Sequence, residues 1–249
     1  MRAATLSRTP RAAKTRPSGR GLAMAGVIAI SGAMFDLTLT FDNGPDPAAT
    51  PDVLDILARR AIRASFFVVG RNLVAARACA ERAHAEGHWI ANHTWTHSGA
   101  LGLRSAHDLA ETEIGRTQAA IGTLAHPMRW FRPQGGGGHL DARLFNPEVV
   151  DFLTRGQFTC VLWNAIPRDW DDPEGWVGRA LSQCAAQPWT LMVLHDIASG
   201  AMRHLDRFLG AAEQAGARFR QDFPPDCLPI LQGVIVHPID GYVTRGGRT

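Results

Sequence analysis

The chain has 249 residues, of which 45% are hydrophobic, so it is long enough for one large domain with a substantial core. Residues 1–20 contain six basic residues and no acidic residue, and removing these six charges from the net charge of +3 leaves −3 for the remainder, which does not indicate a basic nucleic-acid-binding face. Lys14 is the only lysine, which excludes a phosphate loop ending in Gly-Lys-Ser/Thr and lysine Schiff-base chemistry from the domain.

Residues 1–34 are interpreted as an extension that precedes a domain spanning residues 35–249. An apolar run over 21–35 follows the basic segment, and the Ser-Gly-Ala sequence at 31–33 fits a signal-peptide cleavage site. Two interpretations stay open: a signal peptide, which implies an exported protein, or an over-long gene start, which implies a cytoplasmic one. The apolar run is too short for a comfortable membrane span, so no spanning segment is predicted.

Short β-type runs alternate with helical patterns from residue 35 onward. The predicted strands are 35–41, 64–70, 88–93, 128–132, 158–166, 190–195 and 231–237. The predicted helices are one capped by Thr50 with Pro51 at its first position, then 73–86, 105–124, 147–155, 173–184 and 202–218. Because such alternation gives parallel strands with helical crossovers, the sequence predicts an α/β fold, a distorted seven-stranded (β/α) barrel resembling a TIM barrel.

Titratable and polar side chains follow the predicted strands at their C-terminal ends. They are Asp42 after the first strand, His93 and His97 after the third, Arg132 and Pro133 after the fourth, Asp169 and Trp170 after the fifth, and His195 at the end of the sixth. In parallel α/β barrels the reacting groups collect at this end. Each residue alone also has an ordinary structural explanation, such as a turn-forming aspartate at Asp42. Their joint placement favours a functional site on one rim.

His93 and His97 have a spacing that suits metal binding. Four residues apart, two imidazoles would lie on one side of a helical turn, and two neutral imidazoles can share one metal ion. The pair alone is weak evidence, because surface histidines at this spacing also occur by chance. Its position at a strand end favours a metal site.

The segments LTFDNGPD, NHTWTH, WFRPQGG, IPRDW and VLHD occur in the order of the five motifs of the polysaccharide deacetylase family. This family, which includes chitin deacetylases, peptidoglycan deacetylases and the rhizobial NodB enzymes, resembles the chain over about residues 35–240. The resemblance implies a NodB-like domain with a distorted seven-stranded barrel. It also implies a metal-dependent hydrolase that removes N-acetyl groups from N-acetylated sugars or polysaccharides. The implied partner is a carbohydrate substrate, and zinc is the divalent metal expected for a histidine-rich hydrolytic site.

The resemblance further implies a role for each residue of these motifs. Asp42 is the expected general base toward a water molecule at the metal, and His195 is the expected general acid for the leaving amine. Arg132 is expected to position the base, and Asp169 to orient His195 and favour its protonated form. The implied metal ligands and substrate contacts are Asn43, His93 and His97 for the metal, and Trp170, Leu194 and Pro133 for the substrate.

Asn43 departs from the family pattern, which has a metal-binding aspartate at this position. An amide oxygen can coordinate but is neutral, so we expect weaker metal affinity and a more Lewis-acidic ion. Three functions stay open: an enzyme with a weakened or different metal site, a catalytically impaired glycan-binding pseudoenzyme, or a hydrolase of another small amide or formamide. Asp46 is a candidate replacement ligand, and deamidation at Asn43-Gly44 would create the missing carboxylate. The presence of Asp42, Asp169 and His195 together favours an enzyme.

Overall fold

The computed structural model describes residues 34–244, which form a curled sheet with helices packed on its outer side. The strands of this part are β1 (Phe35–Asp42), β2 (Ser65–Val68), β3 (Trp89–Asn92), β4 (Trp130–Phe131), β5 (Thr159–Cys160), β6 (Trp189–His195), β7 (Ala217–Arg220), β8 (Ile230–Leu231) and β9 (Val234–Ile235). The α-helices are α1 (Ala49–Arg59), α2 (Gly70–Ala75), α3 (Arg77–Ala85), α4 (Arg116–Ile121), α5 (Pro147–Arg155), α6 (Trp176–Ala185) and α7 (Leu205–Gln214).

The sheet is parallel except at one edge. Its order is β6-β1-β2-β3-β4-β5, followed by the antiparallel strands β8 and β9, while β7 pairs in parallel with the first half of β1. Beyond β5, Ala165 bridges Met192 of β6, and its carbonyl accepts a hydrogen bond from the amide of Val193. The sheet therefore curls back onto β6, which confirms the predicted barrel-like α/β class.

Side chains alternate between the two faces of β1, as expected for a strand. Leu37, Leu39 and Phe41 are buried in the layer between the strands and the helices. Thr40 and Asp42 face the inside of the curled sheet, where both contact the same arginine. This alternation brings the last side chain of β1 to the inner rim, where the parallel strands end.

Helix α5 shows how local sequence sets an element. Asn146 accepts a hydrogen bond from the amide of Val149 (2.8 Å), and Pro147 occupies the first turn. An asparagine cap and an N-terminal proline together favour a helix start at this point. The helix predicted over 147–155 is confirmed with both ends.

Two predicted C-terminal elements are wrong. The helix predicted over 202–218 ends at Gln214, because Gly216 adopts φ 92° and turns the chain into β7. The strand predicted over 231–237 is instead the hairpin of β8 and β9. Its two turn residues, Gln232 and Gly233, have φ of 45° and 82°, as tight hairpins require.

Other predicted boundaries differ in detail. Helical structure begins at about residue 109 rather than at 105. It includes one π-helical turn, Glu111–Gly115, which we call the π-turn. Thr50 does not cap α1: Asp46 accepts from the amides of Ala48 and Ala49 instead. The helix predicted over 73–86 is divided at Ala76 into α2 and α3.

The predicted extension lies outside the described residues, apart from residue 34. Over residues 34–244, every helix is too short or too polar to cross a bilayer.

Candidate active site

A cavity of about 240 Å³ opens at the rim where the parallel strands end. Seven of the ten predicted site residues line it: Asp42, Asn43, His93, His97, Pro133, Trp170 and His195. Two more, Arg132 and Asp169, are fully buried and hydrogen-bonded to lining residues. The tenth, Leu194, is not among the lining residues. The predicted rim therefore exists, although not every side chain points as expected.

Asp42, the last residue of β1, is held by a buried arginine. Arg132 Nη1 donates to Asp42 Oδ1 (2.7 Å) and to Thr40 Oγ1 (2.7 Å), and its guanidinium lies 3.9 Å from the centre of the Phe67 ring. A buried carboxylate beside a buried guanidinium is compensated in charge. The other oxygen, Oδ2, lies 3.5 Å from His93 Nε2, so Asp42 presents one uncommitted oxygen to the cavity.

The two histidines come together, but not through the predicted helical turn. Residues 93–97 form an irregular loop after β3, in which Thr94 and His97 adopt positive φ angles of 69° and 51°. The amide of His97 donates to Thr94 Oγ1 (3.2 Å), and the imidazole centres of His93 and His97 are 4.8 Å apart. The two imidazoles are close together, as the spacing predicted, but the predicted helical turn is wrong.

Both imidazoles are in the form that binds metal. Burial lowers the pKa of His93 to about 3, and burial together with the neighbouring His93 lowers the pKa of His97 to about 3. The rings are therefore neutral at pH 7. His93 Nδ1 donates to the carbonyl of Arg132 (2.8 Å), which leaves Nε2 with a free lone pair.

Asn43 lines the same cavity as His93 and His97. Its backbone adopts φ 73°, and Asn72 Nδ2 donates to its carbonyl (2.8 Å). The side-chain oxygen Oδ1 is buried without a hydrogen-bond partner, which is uncommon for a buried polar atom. Among residues 34–244, no three His, Cys, Asp or Glu side chains form a metal-binding group. Asp46 is committed to the start of α1 instead.

His195, the last residue of β6, is fixed by Asp169. Asp169 Oδ1 accepts from His195 Nδ1 (2.9 Å), and Oδ2 accepts from the backbone amide of the same histidine (2.9 Å). Burial opposes protonation of His195, but the hydrogen bond and charge of Asp169 outweigh it, so the pKa of His195 is raised above its usual 6.5. The contact with Asp169 therefore favours the protonated form of the ring.

An apolar wall closes one side of the cavity. The Trp170 ring stands edge-on to His195, with 4.7 Å between centres. The prediction that Leu194 lines the cavity is wrong: Leu194 is paired with Phe41, and both are buried in the helix-facing core. Val193, two residues before His195 and therefore on the same face of β6, takes that place.

Three further lining residues were given no role from the sequence: Gln134 and Ile166, which lie inside the segments WFRPQGG and IPRDW, and Trp163, which lies outside all five motifs. Trp163 Nε1 donates to the carbonyl of Gly138 (3.1 Å), which fixes the indole against the glycine-rich loop. Alternation along the predicted strand 158–166 places Trp163 on the same face as Val161, a residue of the inner core. That periodicity was the available signal for Trp163.

Several known proteins are similar to this chain in sequence. Residues 34–150 match the polysaccharide deacetylase family. A chitooligosaccharide deacetylase of Rhizobium leguminosarum bv. phaseoli is 35% identical over 165 residues, which cover 64% of this chain and 67% of the relative. A peptidoglycan-N-acetylglucosamine deacetylase of Bacillus cereus is 30% identical over 190 residues, which cover 74% of this chain and 84% of the relative.

A solved structure agrees in fold. The peptidoglycan deacetylase PdaC of Bacillus subtilis superimposes with a TM-score of 0.61 at 27% identity, over 75% of this chain and 87% of that one. The cavity, the sequence relatives and this fold lead to one conclusion: the chain belongs to the polysaccharide deacetylase family.

Proposed function

We propose that the chain is a metal-dependent carbohydrate N-deacetylase that acts on N-acetylglucosamine polymers of the chitooligosaccharide or peptidoglycan type. Family membership and relatives named as N-deacetylases support the reaction class. One observation carries the assignment of residues: a single cavity holds a carboxylate fixed by an arginine, a histidine fixed by a carboxylate, and two neutral imidazoles.

The residues present fit a metal ion. His93 and His97 offer neutral ring nitrogens, and Asn43 offers a buried oxygen without another partner. Nitrogen-rich hydrolytic sites of this kind suit zinc. A divalent ion at such a site supplies polarisation of the amide carbonyl and a lowered pKa of water.

Asp42 is proposed as the general base. Arg132 occupies Oδ1, so the proton of an attacking water would be taken by Oδ2, the oxygen nearer to His93. The hydrogen bond from Arg132 also holds the carboxylate in a fixed orientation, and a base must be within reach of the proton that it removes.

His195 is proposed as the general acid. An amine leaves an amide only after its nitrogen receives a proton, and a protonated imidazole on the cavity wall can donate it. Asp169 holds Nδ1 and favours the protonated ring, so Nε2 is the nitrogen available to the substrate. Trp170 and Val193 then provide apolar contact for the acetyl methyl group.

Asn43 also supports a second candidate, a glycan-binding protein with impaired catalysis. A neutral amide in place of a carboxylate binds a cation less tightly. The hydrogen-bonded pairs that hold the proposed base and acid, Asp42 with Arg132 and His195 with Asp169, are nevertheless both formed. Simple glycan binding does not require either pair. We therefore favour the enzyme. Hydrolysis of another small amide or formamide on the same groups is the third candidate.

The deciding experiment measures acetate release from N-acetylglucosamine oligomers together with the zinc content of the purified protein. The variants are Asn43→Asp, which restores a carboxylate, Asp42→Asn, which removes the base, and Asp52→Asn, an exposed control in α1. We expect the wild type to release acetate, a chelator to stop it, and Asp42→Asn to lose roughly a factor of 10² to 10⁴ in rate, the usual contribution of a general base.

The alternatives give different results. If the wild type binds the oligomers without releasing acetate, and Asn43→Asp releases acetate, the wild type is the impaired enzyme. Release from formamides but not from acetylated sugars would identify the third candidate. Full activity of Asp42→Asn would remove the assignment of the base.

A further inference from the structure

The loop that carries the two histidines has an unfavourable backbone. Thr94 (φ 69°) and His97 (φ 51°) both lie in the left-handed region, although neither is glycine. Such conformations are energetically unfavourable for residues other than glycine and persist only where the surroundings impose them. Something outside residues 93–97 must hold this loop in place.

Glu113 makes the largest set of polar contacts to the loop. Its Oε2 accepts from the amides of Trp95 (3.0 Å) and Thr96 (2.9 Å), and its Oε1 accepts from Thr96 Oγ1 (2.6 Å). Arg104 Nη1 donates to the same Oε1 (2.7 Å) and balances the charge. All four partners donate, so the residue acts as an ionised acceptor, and its side chain is only 3% exposed.

Glu113 is itself fixed at the end of β3. It belongs to the π-turn Glu111–Gly115, and Thr117 Oγ1 donates to its carbonyl (2.8 Å). The next residue of the turn, Ile114, accepts at its carbonyl from Asn92 Nδ2 (2.9 Å), and Asn92 is the last residue of β3. The carboxylate is thus attached to the same strand end from which the histidine loop departs.

We propose that Glu113 is a positioning residue that pre-forms the two-histidine half of the metal site by imposing the backbone of residues 93–97. This inference rests on the proposed function, because it takes His93 and His97 as metal ligands. Glu113 has no contact with the cavity, so it acts only through the loop.

The test compares Glu113→Gln with Glu111→Gln. Glutamine at 113 keeps the shape, but its single acceptor oxygen cannot serve four donors. Glu111, two residues earlier in the same turn, is exposed and provides the matched control. Zinc affinity is measured by competition with a chromophoric chelator, and hydrogen exchange of the Trp95 and Thr96 amides is measured on metal-free protein.

We expect Glu113→Gln to bind zinc about tenfold to a hundredfold more weakly, as is usual when a residue that orients metal ligands is replaced. Its Trp95 and Thr96 amides should exchange faster, whereas Glu111→Gln should match the wild type in both measurements. Thr96→Val, which removes one of the four hydrogen bonds, should show a smaller loss of the same kind. It serves as the decisive variant if Glu113→Gln does not fold.

Zinc affinity within twofold of the wild type in these variants overturns the inference, and so does unchanged exchange of the loop amides. A wild-type protein that binds no zinc while its loop amides stay protected is a distinct result: it contradicts the metal site of the proposed function, and this role of Glu113 falls with it.

Discussion

Asp196, the residue after His195, is a buried carboxylate, and residues 34–244 contain no salt bridge to it. Its Oδ2 accepts from Thr50 Oγ1 (2.6 Å), while Oδ1 is buried with no partner. A side-chain carbon on Gly44 would collide with this carboxylate, so the two are in close contact. Burial raises the pKa of Asp196 to about 7, well above the ordinary 3.8.

This shift predicts a pH-dependent stability. Because the folded state binds the Asp196 proton more tightly than the unfolded state, the associated stability is present at low pH and is lost as pH rises from about 4 to about 7. Asp196→Asn cannot ionise, so its melting temperature should fall less between pH 5 and pH 8 than that of the wild type. Thermal unfolding of chelator-treated protein measures this, with the exposed Asp52→Asn as control. An equal fall in Asp196→Asn would contradict the pKa shift.

At the residue scale, the five motifs contain most of the polar side chains that the structure brings together at the cavity, but not all of the residues around them. Leu194 was assigned to the cavity by the family resemblance, whereas alternation along the strand places Val193 there. The pairing of Asp42 with Arg132, across 90 positions of sequence, depends on the sheet order and could only be inferred from the family resemblance.

Among the elements, α2 and α4 meet around the Trp95 ring. A side-chain carbon on Gly70, the first residue of α2, would collide with this ring and lie 2.7 Å from Thr117 Oγ1. Arg116, the first residue of α4, places its guanidinium 3.8 Å from the centre of the Trp95 ring. The indole of the histidine loop is therefore enclosed by two helices.

Gly70→Ala should destabilise the protein by about 1–3 kcal/mol, because extra atoms in a well-packed region force neighbours to move. Gly178→Ala in α6 is the matched control: a carbon there meets nothing within 4 Å. It should stabilise by about 0.5–1 kcal/mol, because alanine is the better helix former. Urea denaturation measures both values. Equal effects of the two substitutions would show that Trp95 is not closely packed against α2.

Elements with explicit end signals were predictable, and elements without them were not. The asparagine cap and proline mark the start of α5, and Gly156 follows its last residue. Strand β7 was absorbed into the preceding helical pattern, because the turn at Gly216 is a single residue. The hairpin of β8 and β9 was predicted as one strand, because its two-residue turn interrupts an otherwise apolar run.

At the scale of the whole molecule, the sheet closes at a seam between residues after β5 and strand β6. Asn164 Oδ1 accepts from the amide of Leu191 (2.7 Å), and its Nδ2 donates to the carbonyl of Trp189 (3.0 Å). Ala165 adds the single backbone bridge to Met192. One side chain thus replaces ladder hydrogen bonds that the short β5 cannot make.

Asn164→Leu should lower the free energy of unfolding by about 1 kcal/mol, since the side-chain hydrogen bonds to Gln187, Trp189 and Leu191 are lost at an exposed position. Asn164→Asp keeps the acceptor for Leu191 and should lose less. Chemical denaturation distinguishes the two variants. A leucine variant as stable as the wild type would mean that the backbone bridge alone closes the seam.

The barrel-like class was predictable from the alternation of strands and helices, but the contacts that close the sheet were not. Residues 161–165 lack the regular ladder of a strand and reach β6 through the Asn164 side chain and one backbone bridge at Ala165, which leaves no periodic pattern in the sequence.

Asp42 and His195 are register partners on β1 and β6, neighbours across the longest ladder of the sheet. Adjacent strands are about 4.8 Å apart, so the separation of the groups proposed as base and acid is set by backbone geometry. The imidazoles at 93 and 97, proposed as metal ligands, belong instead to a loop after β3. Substitutions in that loop can therefore change the proposed cation site while Asp42 and His195 stay in register.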